Sequence, residues 1–154
     1  VRQEFTEDLE QAAKALRIPR GTESAAPYNP YVEVVTALRK FETTGKNRNA
    51  VLLISDGLDV SRGFDSMSAL HSIDMERAVR EAKKRDVAVY SFYAPSVGLT
   101  SFNRTAISYG QGALNRLSDE TGGRAFFQGS DFVTFNAYFE GLSRTLNEKA
   151  ETAY

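Results

Sequence analysis

The chain has no cysteine, which excludes disulfides and thiolate metal sites and leaves the redox compartment unreadable. Its one histidine, His71, has no second imidazole near it in the sequence and reads as a residue leading into a helix rather than as a ligand. The longest unbroken apolar run is the five residues Ala50–Ile54. A bilayer span needs roughly 20, and the N-terminus lacks a signal-peptide core, so no membrane insertion is expected. Charge of one sign is also missing: 19 Lys and Arg stand against 20 Asp and Glu, for a formal net charge of -1. No basic field is present to gather nucleic acid. There is no G-x-S-x-G elbow and no phosphate-cradling glycine loop. Gly110-Gln111-Gly112 has only two glycines and does not directly follow a strand, so it is a weak phosphate candidate.

What remains is ordinary globular material: 154 residues, 42% hydrophobic and 25% charged. One domain of that size buries roughly 70% of its unfolded surface and holds a core without staples. The chain opens on Val1-Arg2-Gln3-Glu4-Phe5 without an initiator methionine, and the expectation is a longer parent protein.

The most informative stretch is Ala50-Val51-Leu52-Leu53-Ile54-Ser55-Asp56-Gly57. An apolar run bounded by polar residues and a glycine predicts a strand over 50–55, buried on both faces as parallel strands usually are. In an open parallel sheet, ligands bind beyond the carboxyl ends of the strands, where Ser55, Asp56 and Asp59 are delivered. Asp56 followed by Gly57 is also an ordinary turn pair, so turn-making and chemistry both stay open for it.

Taken in order, Thr6 caps a helix over 7–17 whose apolar face is Leu9, Ala12, Ala13 and Leu16. Pro19 and Gly21 stop it. Asn29-Pro30 starts a second helix over 30–43 with Tyr31, Val34, Val35, Leu38 and Phe41 on one side. After the strand at 50–55, residues 56–71 form a polar loop with Asp56, Asp59, Arg62, Asp65 and His71. Ser72 then caps a helix carrying Met75, Ala78, Val79 and Ala82 and ending in Lys83-Lys84-Arg85, cations that suit a helix C-terminus. Val87–Tyr93 is β-branched and aromatic and predicts a second strand. A loop over 94–109 and a short helix marked by Gly110, Ala113, Leu114 and Leu117 lead to a third strand over 124–128. A last helix follows Thr134. The three strands begin 37 residues apart, at Ala50, Val87 and Arg124, which is the size of a strand–helix unit. Such alternation predicts an α/β domain with a parallel sheet and helices on both faces. The two long loops open on the same edge as Asp56 and exceed the usual two to six residues, a mark of functional or disordered loops.

Ser55-Asp56-Gly57 with Asp59, the strand Val87–Tyr93, and then Leu114-Asn115-Arg116-Leu117-Ser118-Asp119-Glu120-Thr121-Gly122-Gly123-Arg124-Ala125-Phe126-Phe127 together resemble the later half of a von Willebrand factor type A domain. The resemblance is to the branch found in bacterial secreted proteins of acidobacterial type, to which Phe5-Thr6, Ala15–Pro19 and Tyr109-Gly110-Gln111 are also similar. It covers nearly the whole chain, residues 1–154, as a single partial domain. It implies a three-layer, Rossmann-like fold with a mainly parallel sheet, its N-terminal strand and helix missing, in a secreted or extracytoplasmic protein. Such domains hold one divalent cation in a metal-ion-dependent adhesion site and bind a carboxylate of another protein. By resemblance Asp56 is the third-loop aspartate, and Thr22 and Ser24 lie where the second-loop hydroxyl belongs. The family's first-loop Asp-x-Ser-x-Ser is absent. Its nearest imitation, Asp65-Ser66-Met67-Ser68, follows the wrong strand in the wrong order.

Hard cations such as Mg²⁺ take oxygen ligands of the kind these loops supply, but an incomplete set predicts weak or absent Mg²⁺ binding by this chain. The leading expectation is a protein-binding module rather than an enzyme, recognising an acidic group, with Asp59, Phe102 and Arg104 as partner-contact candidates. Asp59 and Asp65 also suit loop turns, and Phe102 suits burial beneath its loop. Two alternatives are a Mg²⁺-assisted hydrolase using Asp56 and Asp59, and a scaffold that keeps the fold with a degenerate site.

Overall fold

A computed structural model describes residues 4–15, 29–41, 49–64, 72–95, 103–127 and 135–151. Thr22, Ser24, Asp65, His71 and Phe102 lie outside the described residues.

The elements are α1 (Leu9–Ala15), α2 (Pro30–Leu38), β1 (Asn49–Ser55), α3 (Ile73–Arg85), β2 (Val87–Tyr93), α4 (Arg104–Glu120), β3 (Ala125–Phe126) and α5 (Phe135–Glu151). Side-chain caps set several of the helix starts. Asp8 Oδ1 accepts from the amides of Glu10 and Gln11, so Asp8 caps α1, where the sequence had favoured Thr6. Asn29 caps α2, Ser72 caps α3 and Asn103 caps α4.

The strands form one all-parallel sheet in the order β1-β2-β3, with Leu53 opposite Ser91 and Phe92 opposite Phe126. The fold is thus a mixed α/β domain, as alternation predicts. On the face carrying Val51, Leu53, Val87 and Val89, α2, α3 and α4 pack their apolar sides: Tyr31, Val34, Val35 and Leu38, then Met75, Ala78, Val79 and Ala82, then Ala113 and Leu117. Ser91 and Ser118 Oγ, both fully buried here, pair at 2.9 Å and so satisfy each other. On the other face, the ring of Phe92 meets Phe126 and, from α5, Phe139, in edge-on contacts at 5.4 and 5.3 Å. Helices therefore cover both faces of β2, which is buried along almost its whole length.

The expectation that β1 is buried on both faces is not met. Its residues alternate between half-buried and exposed, with Leu52 37% and Ile54 45% accessible. β1 is an edge strand among the described residues, and α5 covers Phe92 while leaving the neighbouring Ile54 open. Here the continuous apolar run serves a one-sided strand.

α4 begins six residues earlier than its apolar pattern suggests, because the one position it buries over 104–109 is the small residue Ala106, with Gly110 a turn further on. Smallness is needed: a Cβ on Gly110 would lie 2.0 Å from the carbonyl oxygen of Asp56. Helix backbone and loop backbone touch, with no room for a side chain. At the other end of α4, Thr121 Oγ1 donates to the Leu117 carbonyl and accepts from the Val89 amide at 3.0 Å. Thr121 thus supplies β2 with a partner just before β3 begins, and a Cβ on Gly123 would lie 1.9 Å from the Val89 carbonyl oxygen.

Two glycines of the same helix give a paired test. Gly112 has nothing within 4 Å of an added Cβ, so Gly112→Ala is expected to stabilise by about 0.5 to 1 kcal/mol through helix propensity. Gly110→Ala is expected to cost roughly 3 kcal/mol or more, since backbone must move to admit it. Urea unfolding of the two variants is the measurement, and equal midpoints would show that α4 does not press on the loop after β1.

Candidate functional site

The sequence places Ser55, Asp56 and Gly57 at the carboxyl end of β1, and the structure shapes them into a tight turn. Asp56 Oδ1 accepts from the Leu58 amide at 3.2 Å, and Ser55 Oγ accepts from the Gly57 amide at 3.1 Å. Gly57 has φ +77°, a region open to glycine, and it is buried against Gly110 and Leu114 of α4. The ladder runs on past the strand end, where the Ala94 amide donates to the Ser55 carbonyl. Asp56 is left half-exposed above this turn.

Beneath it lies Tyr31, whose hydroxyl donates to the Gly57 carbonyl at 2.5 Å. Burial, then the negative charges of Asp56 and Asp59, push the Tyr31 phenol far above its ordinary pKa. Both carboxylates therefore bear on the same buried ring.

Asp59 has a different setting. Its Oδ1 accepts from the amide and the hydroxyl of Ser61 at 3.1 and 2.6 Å, and its Oδ2 accepts from Asn29 Nδ2 at 3.0 Å and Ser72 Oγ at 2.9 Å. Asn29 and Ser72 are the N-caps of α2 and α3, so one carboxylate ties the leading ends of two helices to the loop after β1. Asn29 Nδ2 also donates to Asp74 Oδ2 at 2.8 Å. With both oxygens engaged inside the protein, Asp59 has little capacity left for a metal or a partner. A cavity of about 120 Å³ lies beside it, lined by Asp59, Ser61, Arg62, Gly63, Ser72, Ile73 and Asp74. It admits a few waters or the tip of a side chain, well short of the roughly 300 Å³ at which small-molecule pockets begin.

Arg104, expected on a loop, is the first residue of α4, where it is exposed. No acidic residue occupies that helix's first turn. Gly110, the weak phosphate candidate, lies mid-helix and is closed off by Asp56 backbone. Among the described residues no group of three or more His, Asp or Glu side chains comes together to hold a metal ion. The sequence reading missed the joint role of Asn29, Ser61, Ser72 and Asp74. Asn29 and Ser72 were legible as caps, but their common partner lies 30 and 13 residues away, and no local signal carries that.

Raising the pH tests the buried ring. Because the folded chain holds the Tyr31 proton more tightly than the unfolded chain, stability is full below the unfolded value and is lost as pH rises past it. The urea midpoint is expected to hold to about pH 9 and fall above about pH 10, where free tyrosine ionises. Tyr31→Phe should be less stable at neutral pH by about 1 kcal/mol, for the lost hydrogen bond, and show a shallower alkaline fall. An unchanged alkaline slope would mean that Tyr31 is not held neutral by its surroundings.

Comparison of the chain with protein-family models, with curated proteins and with solved structures finds no match in any of the three.

Proposed function

We propose that the chain is a protein-binding module of the von Willebrand factor A type, which recognises an acidic group of a partner at the carboxyl edge of its sheet. The observation that carries this reading is the placement of Asp56, half-exposed on the turn after β1. That is the position at which open parallel sheets meet their ligands. The small cavity beside Asp59 suits contact with a surface better than enclosure of a substrate. A partner carboxylate needs positive charge nearby. Arg104, at a helix N-terminus without acidic residues, supplies it in the chain itself. A cation held by Asp56, with hydroxyls such as Thr22 or Ser24, would add to it in a parent that completes the shell.

Selection of random peptides on the 154-residue chain tests the reading. Peptides enriched in Asp or Glu are expected, with affinity reduced about tenfold or more in Arg104→Ala at low Mg²⁺. Mn²⁺ and Mg²⁺ should bind the chain no tighter than about millimolar, since one anchored carboxylate cannot satisfy an octahedral ion. Affinity for the peptides should then rise at roughly 20 mM Mg²⁺, and Asp56→Ala should abolish that rise. Peptides without carboxylates, or binding indifferent to both substitutions, would contradict the reading. Turnover of a phosphate or ester substrate lost in Asp56→Ala would replace it with a hydrolase.

A further inference from the structure

The charges of α3 are sorted by the side of the helix they occupy. Met75, Ala78, Val79 and Ala82 form its buried face. Residues three and four apart lie one above another on a helix, so Ile73, Arg77, Arg80 and Lys84 make a single row on the opposite side. All four are exposed, Ile73 to 76%. The acidic residues of the helix sit on its two flanks and are turned to the elements beside it. Asp74 accepts from Asn29, the cap of α2, and Glu81 meets Arg85, whose guanidinium also donates to the Phe41 carbonyl just past α2. On the other flank Glu76 meets Arg116 of α4 at 3.4 Å, and Lys83 pairs with Glu120 at 3.1 Å. Among the described residues no carboxylate lies within ion-pair distance of Arg77, Arg80 or Lys84.

Such a row works against the helix that carries it. Like charges at i, i+3 and i, i+4 repel, and Arg77 with Arg80 and Arg80 with Lys84 have these spacings. The helix C-terminus accounts for Lys84, since cations are favourable there, but not for Arg77 and Arg80 in mid-helix. Nor does the row lie at a margin of the described structure: α3 is held between α2 and α4 with β2 beneath it. Local repulsion retained while every acid of the helix is turned aside marks a surface whose acids come from a partner.

We propose that the outer row of α3 is a docking ridge for an acidic helical segment of another protein, whose carboxylates meet Arg77, Arg80 and Lys84 and whose end sets an apolar side chain on Ile73. The width of the row selects this occupant. The three cations span about 10 Å along one line, with Asp74 and Glu81 on one side and Glu76 on the other. A nucleic-acid duplex or a lipid surface laid over the ridge would meet those acids as well, whereas a helix with carboxylates at i, i+4 and i+7 meets the cations alone. A net charge of -1 gives no long-range pull on a polyanion. The ridge is also remote from the carboxyl edge: Arg116, which meets Glu76, stands 12 residues (116 minus 104), or about 18 Å of helix, beyond Arg104. Its test is therefore independent of the reading given to Asp56 and Arg104.

The probe is a fluorescein-labelled Ala- and Gln-based peptide of about 18 residues, long enough to be helical, with Glu at i, i+4, i+7 and i+11 and a Leu in line with them. An isomer with the same residues scattered round the helix is its control. Anisotropy at about 50 mM salt should show the row peptide binding about tenfold more tightly than the isomer, and more weakly as salt is added. Replacing Arg77, Arg80 and Lys84 together by Ala should lower its affinity about tenfold or more. Arg104→Ala, and a control triple of Lys14→Ala, Arg124→Ala and Arg144→Ala at other exposed cations, should change it less than about twofold. The ridge triple should unfold in urea no earlier than the unaltered chain, because Ala favours helix and the repulsion is gone. No binding of the row peptide up to about 1 mM overturns the proposal, as do equal affinities for the two peptides or equal losses in the two triples. Tighter binding of phosphatidylserine vesicles or of a single-stranded oligonucleotide through the same three residues would give the ridge to another class of partner and overturn it too. Loss of the peptide in Arg104→Ala alone would place the contact at the carboxyl edge, against the ridge and in favour of the edge reading.

Discussion

The carboxylate of Asp59 accepts hydrogen bonds from Asn29 and Ser72, the caps of α2 and α3, and from Ser61 in its own loop. Helices begin with amides that nothing inside the helix can satisfy, and a negative charge at that end is favourable. Placing one carboxylate between two such ends fixes the helices relative to each other and both relative to β1. Gly110 sets the third helix, α4, by letting its backbone rest on the Asp56 carbonyl. Tyr31, tied to the Gly57 carbonyl, closes the floor. The turn carrying Asp56 is therefore held from three sides by groups that do not themselves reach outward.

That arrangement separates two residues which in the sequence look equivalent. Asp56 and Asp59 lie three apart on one polar loop, and a reading from residue type alone gives either of them chemistry. Hydrogen bonding fixes the role of Asp59. A carboxylate with both oxygens committed to four internal donors is a structural tie, and withdrawing it to hold an ion would leave Asn29 and Ser72 to find new partners. Asp56 accepts from the Leu58 amide through Oδ1 and remains half-exposed. The proposed adhesion-type site rests on its place at the carboxyl end of β1, with Arg104 contributing positive charge from the start of α4.

The sequence made the architecture legible because strand–helix alternation and apolar periodicity are strong, local signals. The faces of α2 and α3 and the caps Asn29 and Ser72 follow directly from them. Where the reading slipped, packing had removed the signal. Over 104–109 the only buried position of α4 is the small residue Ala106, which carries no apolar pattern, and so Arg104 looks like a loop residue. The run Ala50–Ile54 looked doubly buried because edge and centre strands share a composition, and only sheet order tells them apart. The Asp59 tie was invisible for another reason: its partners are far away in the chain, and each has a sufficient local explanation as a cap.

A double-mutant cycle between Asp59 and Asn29 tests most directly that one carboxylate ties the helix starts to the loop after β1. Charge-assisted bonds to a half-buried carboxylate should make Asp59→Ala cost about 2 to 4 kcal/mol in urea unfolding, with a coupling to Asn29→Ala of about 1 kcal/mol or more. A vanishing coupling would contradict the account, since Asp59 would then not be the group that ties the starts of α2 and α3 to the loop after β1.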